Sequence, residues 1–336
     1  MHWDLFFTVL VAGGISAGLY GFLPISLIMT YRISRTIAFI HGGIAAAAGA
    51  AYWILTLHND LLSAQGDFII AFNQGSLNPT EFGHRPSWPQ APMMIVIMIF
   101  GGLIAGVYGA VVMSRKFASM SALVLTVVSL GAMLGLIGIA SILNIEGNLL
   151  PDSPFGQGRH QALPLSMTNG LPLNLTNNQI CTFITVLGLS VVLAIYLTRT
   201  HSGLQIRALA DDQEAGVWCG IKLQLLGSFV YAASGAIAAL AGVLVSVTIG
   251  VNPGDMLVFV LDGLAIAIVG GLRSLPLSFV GALLYSLTET ALKVGFYGDV
   301  KLSTQAVILY GLLLSIIVTV ATLRREQFFL LERQSL

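Results

Sequence analysis

One polar stretch restricts what this chain can fold into more than any other feature. Residues 199–222 read RTHSGLQIRALADDQEAGVWCGIK, with Arg199, His201, Arg207 and Lys222 set among Asp211, Asp212 and Glu214. Long apolar runs flank it on both sides. A charge placed at the middle of a bilayer costs about 3 kcal/mol or more, so the stretch lies in water between two membrane spans. Its own pattern is helical. Asp211 or Asp212 can cap a helix start, with Glu214 in the first turn where the helix dipole favours negative charge. Ala215, Trp218 and Cys219 then share one face, and Gly220 stands where a terminal glycine ends a helix. A short amphipathic helix held between two spans can carry force into or out of the membrane.

The rest of the chain fits that reading. Hydrophobic residues make up 56% and charged ones 9%, where a soluble domain carries about a quarter charged residues. The 336 residues suit a bundle of about eight to ten spans of about 20 residues each. A formal net charge of zero gives no hint of a nucleic-acid surface. The first apolar run, entered through Met1-His2-Trp3-Asp4, lacks a basic flank and is too long for a cleaved signal peptide. Cys181 and Cys219 are expected on opposite sides of the membrane and unpaired, and no CxxC or His/Cys cluster suggests a metal site.

Apolar runs predict spans near 5–31, 37–57, 91–113, 117–143, 180–198, 222–250, 255–272, 275–296 and 302–323. Threading these nine with the N-terminus outside puts Arg32, Arg35, Arg115, Lys116, Arg199, Arg207, Lys222, Arg273, Arg324, Arg325 and Arg333 inside. Arg85, Arg159, Lys293 and Lys301 stay outside, a strong bias of the kind that orients membrane proteins. The expected fold is therefore all-α: one polytopic helical bundle over 1–336 with about nine transmembrane helices, N-out and C-in. Segments 58–90 and 144–179 become extracytoplasmic loops, connections or docking surfaces for an external partner.

Pro24 inside the first span predicts a kink. In the second, His41 precedes the adjacent Gly42 and Gly43, which predict a broken helix. His41 is then either a wall of a polar pathway or a partnered interfacial histidine. Small residues four apart, Gly14 and Gly18, Gly102 and Gly106, Gly131 and Gly135, predict close helix packing. Two acids fall inside late spans. Glu289 can pair with Lys293 one turn on, whereas Asp262 has no basic residue one turn away and is a candidate pathway group. There is no Walker A pattern, no Ser/His/Asp arrangement and no HExxH, so catalysis is not expected and any ATP energy comes from a separate subunit.

Several segments resemble the permeases of branched-chain amino acid ABC importers. Met29-Thr30-Tyr31 through Phe39-Ile40-His41-Gly42 is similar to that family's M-x-Y…F-A-H-G region. Gly203, Arg207-Ala208, Ala210-Asp211, Glu214-Ala215 and Gly220-Ile221 resemble its cytoplasmic stretch. Ala238 to Leu244 resembles an A-x-A-G-x-L run, and Val269 to Pro276 a glycine-rich turn. The resemblance implies two permease subunits forming the path, usually non-identical, with two cytosolic ATPase subunits holding ATP and Mg. A soluble extracytoplasmic binding protein would deliver solute, and the setting would be a prokaryotic plasma (inner) membrane and its lipid. No cofactor belongs to this chain. Residues 199–222 become the coupling loop, with Gly203, Arg207, Asp211, Asp212, Glu214, Ala215, Trp218 and Gly220 as its key positions. Tyr31, His41, Gly42, Gly43, Asp262 and Glu289 are the substrate-path candidates.

The chain also departs from that pattern. Gly43 replaces a glutamate after the His-Gly pair and Ala38 an asparagine. Arg32 and Arg35 replace small residues, and Arg273 and Leu277 replace glycines of the late turn. These changes leave urea or short amides open as solutes. An ion-coupled secondary transporter using Asp262 and Glu289 is the rival mechanism.

Overall fold

The computed structural model describes residues 3–63, 90–114, 120–143, 151, 153–155, 159–161, 174–250, 253–272 and 274–295. Ten helices occur among them: α1 (Trp3–Ser34), α2 (Ile40–Ser63), α3 (Gln90–Val112), α4 (Ala122–Leu143), α5 (Asn177–Arg199), α6 (His201–Asp211), α7 (Gln213–Trp218), α8 (Leu223–Ile249), α9 (Pro253–Val269) and α10 (Leu275–Gly295). Without water to satisfy backbone polar groups, hydrocarbon leaves a chain this apolar little choice but helices. At about 1.5 Å per residue, the 23 residues of α3 are long enough to cross the hydrocarbon of a bilayer. Among the described residues five helices are long and apolar enough to span, over Val9–Ser34, Gln90–Val112, Ala122–Ser141, Asn177–Arg199 and Leu223–Thr248; shorter apolar helices cover Ile40–Thr56 and Leu257–Val269. The ninth expected span, near 302–323, lies outside the described residues, as does most of the loop expected over 58–90.

α8 is the central post, packed against α3, α2 and α1, while α1 also carries α10, α5 and α9. The approach of α8 to α2 is close because Gly242 lies against the Ala45 carbonyl, where a Cβ would collide with backbone. Three adjoining cores follow from this arrangement. One joins Ile28, Ile33, Val186, Leu197, Ile206 and Leu244, a second is built around Leu23, Val245, Phe259 and Tyr285, and a third around Ile44, Tyr52, Tyr231 and Val243. The outward faces of α3, α4 and α5 keep large apolar side chains exposed, among them Phe100, Val107, Leu123, Ile184 and Val192, as a lipid-facing helix must.

Two local expectations change. The second span is not broken: α2 runs unbroken from Ile40 to Ser63. The interruption lies before it, at residues 35–39, where Arg35 adopts φ 53. Gly42 and Gly43 start the helix instead, each pressed against a neighbour, Gly42 on Val260 and Gly43 on the Met133 backbone. Of the glycine pairs, Gly18, Gly102 and Gly106 meet neighbours as expected, against Phe183 and Ala232, while Gly14, Gly131 and Gly135 face open space. A four-residue spacing marks one helix face; it does not say whether a helix covers it. The segment 144–179, expected as an extracytoplasmic loop, contains a feature not foreseen, an antiparallel pairing of β1 (Arg159–Gln161) with β2 (Asn174–Thr176). Thr176 then caps α5 through a reciprocal capping box with Gln179, which satisfies two otherwise orphaned backbone donors.

Candidate functional site

The polar stretch folds as two helices, α6 and α7, rather than one. Thr200 starts α6: its hydroxyl accepts the Gly203 N–H at 3.0 Å and donates to the Tyr196 carbonyl at 2.6 Å. Ile206 and Leu209 are fully buried and seat the helix on the bundle. Gly203 lies against Tyr196 and Leu197 backbone, where a Cβ has no room. Asp212, in extended conformation, ends α6 and caps α7, its Oδ1 accepting from Glu214 N at 2.9 Å and Ala215 N at 3.2 Å. Both carboxylates thus sit where the helix dipole favours them.

α7 closes with a glycine in the left-handed region. Gly220 has φ 87; its N–H donates to Val217 O at 2.9 Å and the Ile221 N–H to Gly216 O at 3.2 Å, so the last carbonyls of the helix are satisfied. Gly216 packs on Leu209, folding α7 back against α6. The face carrying Ala215, Trp218 and Cys219 is the one turned away from the bundle. Trp218 is 88% exposed, a large aromatic that none of the described residues covers.

Side chains tie this unit to the first two spans. Arg35 Nη2 donates to the Asp211 carbonyl at 2.7 Å and the Ala210 carbonyl at 3.2 Å. Gln213 Nε2 donates in return to the Ile33 carbonyl. The carbonyls at a helix C-terminus lack partners within the helix, so α1 and α6 end by capping one another through residues 33–35 and 210–213. This tether gave no signal in the sequence.

From the same junction a polar chain continues into the bundle. The Tyr231 hydroxyl on α8 is hydrogen-bonded to Ser34 and Thr36. Ser129 on α4 accepts the Phe39 N–H at 3.2 Å and reaches the Ile37 carbonyl at 3.0 Å. His41 is fully buried, with Nδ1 3.0 Å from the Ala38 carbonyl and Nε2 2.8 Å from Ser234 Oγ on α8. A carbonyl only accepts, so Nδ1 carries a proton, while the Ser234 hydroxyl that faces Nε2 also donates to the Tyr231 carbonyl at 2.9 Å. His41 is therefore a partnered histidine in this conformation, a helix-to-helix joint between α2 and α8.

The other path candidates separate into two places. Asp262 on α9 is 5% exposed and hydrogen-bonded to Tyr285 on α10. Tyr285 stacks edge-on against Tyr20 of α1 with ring centroids 4.8 Å apart. Glu289 lies one turn further along α10 and acts electrostatically on Tyr285; the Lys293 side chain expected to pair with it lies outside the described residues. Tyr31 instead lines a cavity of about 240 Å³ with Arg32, Arg35, Arg207, Ala210 and Asp211. Two coupling positions and one path candidate thus meet at a single cavity at the α1–α6 junction.

A family model described as branched-chain amino acid transport system / permease component matches residues 9–320. The chain is similar to the high-affinity branched-chain amino acid transport system permease protein BraD of Pseudomonas aeruginosa, 28% identical over 139 residues, 41% of this chain and 43% of that one. It is similar to the probable branched-chain amino acid transport permease protein LivH of Methanocaldococcus jannaschii, 27% identical over 144 residues, 43% of this chain and 44% of that one. The chain thus spans less than half the length of the curated relatives it matches. No solved structure matches significantly.

Proposed function

The chain belongs to the branched-chain amino acid transport system / permease component family, and from that premise we propose that it is the transmembrane subunit of an ATP-driven importer. It forms half of a translocation path for branched-chain or other small amino acids, beside a second, related permease. Two cytosolic ATPase subunits, holding ATP and Mg, grip it through residues 199–222. A soluble extracytoplasmic protein delivers the solute, and the assembly sits in a prokaryotic plasma membrane with the α6–α7 side in the cytoplasm. The chain itself supplies transport and no chemistry.

The observation that carries this reading is the reciprocal tether between Arg35 and α6 and between Gln213 and α1. A surface helix that merely lay on lipid would have no reason to be capped by the first span. Here a push on exposed Trp218 and its neighbours is passed through Arg35 and Gln213 into residues 33–39. From there it reaches α8 and α4 through Tyr231, Ser234 and Ser129. Tyr31, His41, Gly42, Gly43, Asp262 and Glu289 stand as the path candidates, and Tyr31 already lines a cavity.

Solute identity follows from the partner that delivers it. Gly43 and Ala38, which depart from the carboxylate and amide of the pattern the sequence resembles, make urea or short amides the second reading. Copurification of the full chain with its ATPase and second permease tests the assembly. Glu214→Lys, which puts a cation in the first turn of α7, is expected to abolish solute-stimulated ATP hydrolysis while membrane insertion persists. Uptake untouched by that change and abolished by a proton ionophore overturns the importer reading in favour of ion coupling through Asp262 and Glu289.

A further inference from the structure

We propose that the cavity at the α1–α6 junction is a binding site for a phosphate anion, and that three arginines make it. Tyr31, Arg32, Arg35 and Arg207 line its walls with Ala210 and Asp211, around about 240 Å³. That volume holds a phosphate group with its first waters. Arg32 stands in the last turn of α1 and Arg207 in the middle of α6. The two guanidinium groups lie close enough to repel one another. Arg32 is half-buried, so water screens that repulsion less well than at an open surface.

Arg35 and Arg207 hold backbone carbonyls through Nη2, on Ala210 and Asp211 and, at 3.4 Å, on Thr198. These bonds fix the planar groups without using up their five N–H donors. Asp211 contributes one carboxylate to the wall against three guanidinium groups, which leaves the cavity cationic. Fixed planar donors around a cationic void match the oxygens of phosphate, and three guanidinium groups against one carboxylate suit the larger negative charge of phosphate better than that of a single carboxylate. An anion there removes the Arg32–Arg207 repulsion and locks α6 to α1, the same joint the tether makes.

The phosphate has two possible sources. The cavity lies at the C-terminal end of the α1 span, which the proposed function puts on the cytoplasmic side, so the sources are a lipid headgroup and a soluble phosphate from the cytosol. The test uses the full-length chain with the subunits that copurify, in detergent, stripped of lipid. Phosphatidylglycerol and phosphatidylcholine are titrated in turn and the bound lipid is counted by native mass spectrometry. Inorganic phosphate is then titrated at constant ionic strength and followed by thermal unfolding.

A headgroup source predicts that phosphatidylglycerol is retained about tenfold over phosphatidylcholine, because the choline cation beside the same phosphate is repelled by the three guanidinium groups. It predicts loss of that preference in Arg32→Gln/Arg207→Gln and its survival in Arg199→Gln, whose side chain lies outside the cavity. A soluble source predicts saturable thermal stabilisation by inorganic phosphate in the native protein and in Arg199→Gln, absent from the double variant, without lipid preference. Should the double variant fail to assemble, Arg32→Lys/Arg207→Lys keeps the charge, loses the fork and is expected to weaken either response. Binding by neither probe, or binding that the cavity variants leave unchanged, or that Arg199→Gln reduces as much, overturns the site.

Discussion

Arg35 holds a conformation that side chains rarely adopt, φ 53, and in doing so places its guanidinium on the last carbonyls of α6. Removing those bonds is expected to cost about 1 kcal/mol each at an accessible site. That is too little to unfold the bundle and enough to loosen the joint. Arg35→Ala and Gln213→Ala should therefore leave assembly intact and lower the stimulation of ATP hydrolysis by solute several-fold, with basal hydrolysis retained. Ser234→Ala is a different kind of change, because it leaves His41 Nε2 without its Ser234 partner among fully buried groups. An unsatisfied buried polar atom costs about 1–3 kcal/mol, so thermal unfolding is expected earlier, while Ser228→Ala, nearer the surface, should not move it. Neither effect could be read in the chain beforehand. Arg35 and Ala210 are 175 positions apart, and His41 and Ser234 are 193 apart. Pairings of that separation are set by how the helices pack, which no local pattern encodes. The sequence did single out His41 and left its two roles open. The structure gives both of its ring nitrogens a partner.

Local signals fared best at the scale of single elements. Asp212, Glu214 and Gly220 marked the start and end of α7 because caps act within one turn of their own helix. The separate α6 before it was missed, since Thr200 and Gly203 make a start that a polar stretch full of other candidates conceals. The break expected in the second span was displaced to residues 35–39 for a related reason. Adjacent glycines signal either a break or a close approach, and here Gly42 and Gly43 serve approach. Gly220 offers a clean test, since its Cβ position is open space and the cost of a side chain is conformational alone. Gly220→Ala is expected to cost about 1 kcal/mol or somewhat more through the backbone and to weaken ATPase association, measured by copurification yield. Gly242→Leu tests the opposite case: the backbone of Ala45 leaves no room, α8 is forced from α2, and the protein should fail to accumulate in the membrane.

At the scale of the whole molecule, the membrane as solvent made the architecture legible. Apolar length was enough to place the described helices, and the skew of basic residues gave the threading expected of them. The structure agrees where it can be compared: the α1–α2 junction meets α6 and α7, while Asn178 at the start of α5 bonds Thr248 at the end of α8, as antiparallel threading requires. Which faces meet lipid and which meet another subunit was not legible, because both are apolar. The central claim is that α7 is the lever by which an ATPase drives the bundle, and Cys219 reports on it directly because it is free and exposed at the end of that helix. The most direct measurement is cross-linking from Cys219 with a short thiol-reactive bifunctional reagent in the assembled complex. The account predicts a covalent product between this chain and the ATPase subunit, with a yield that changes when ATP is bound. Cross-linking to no ATPase subunit in an otherwise intact and active complex would contradict it.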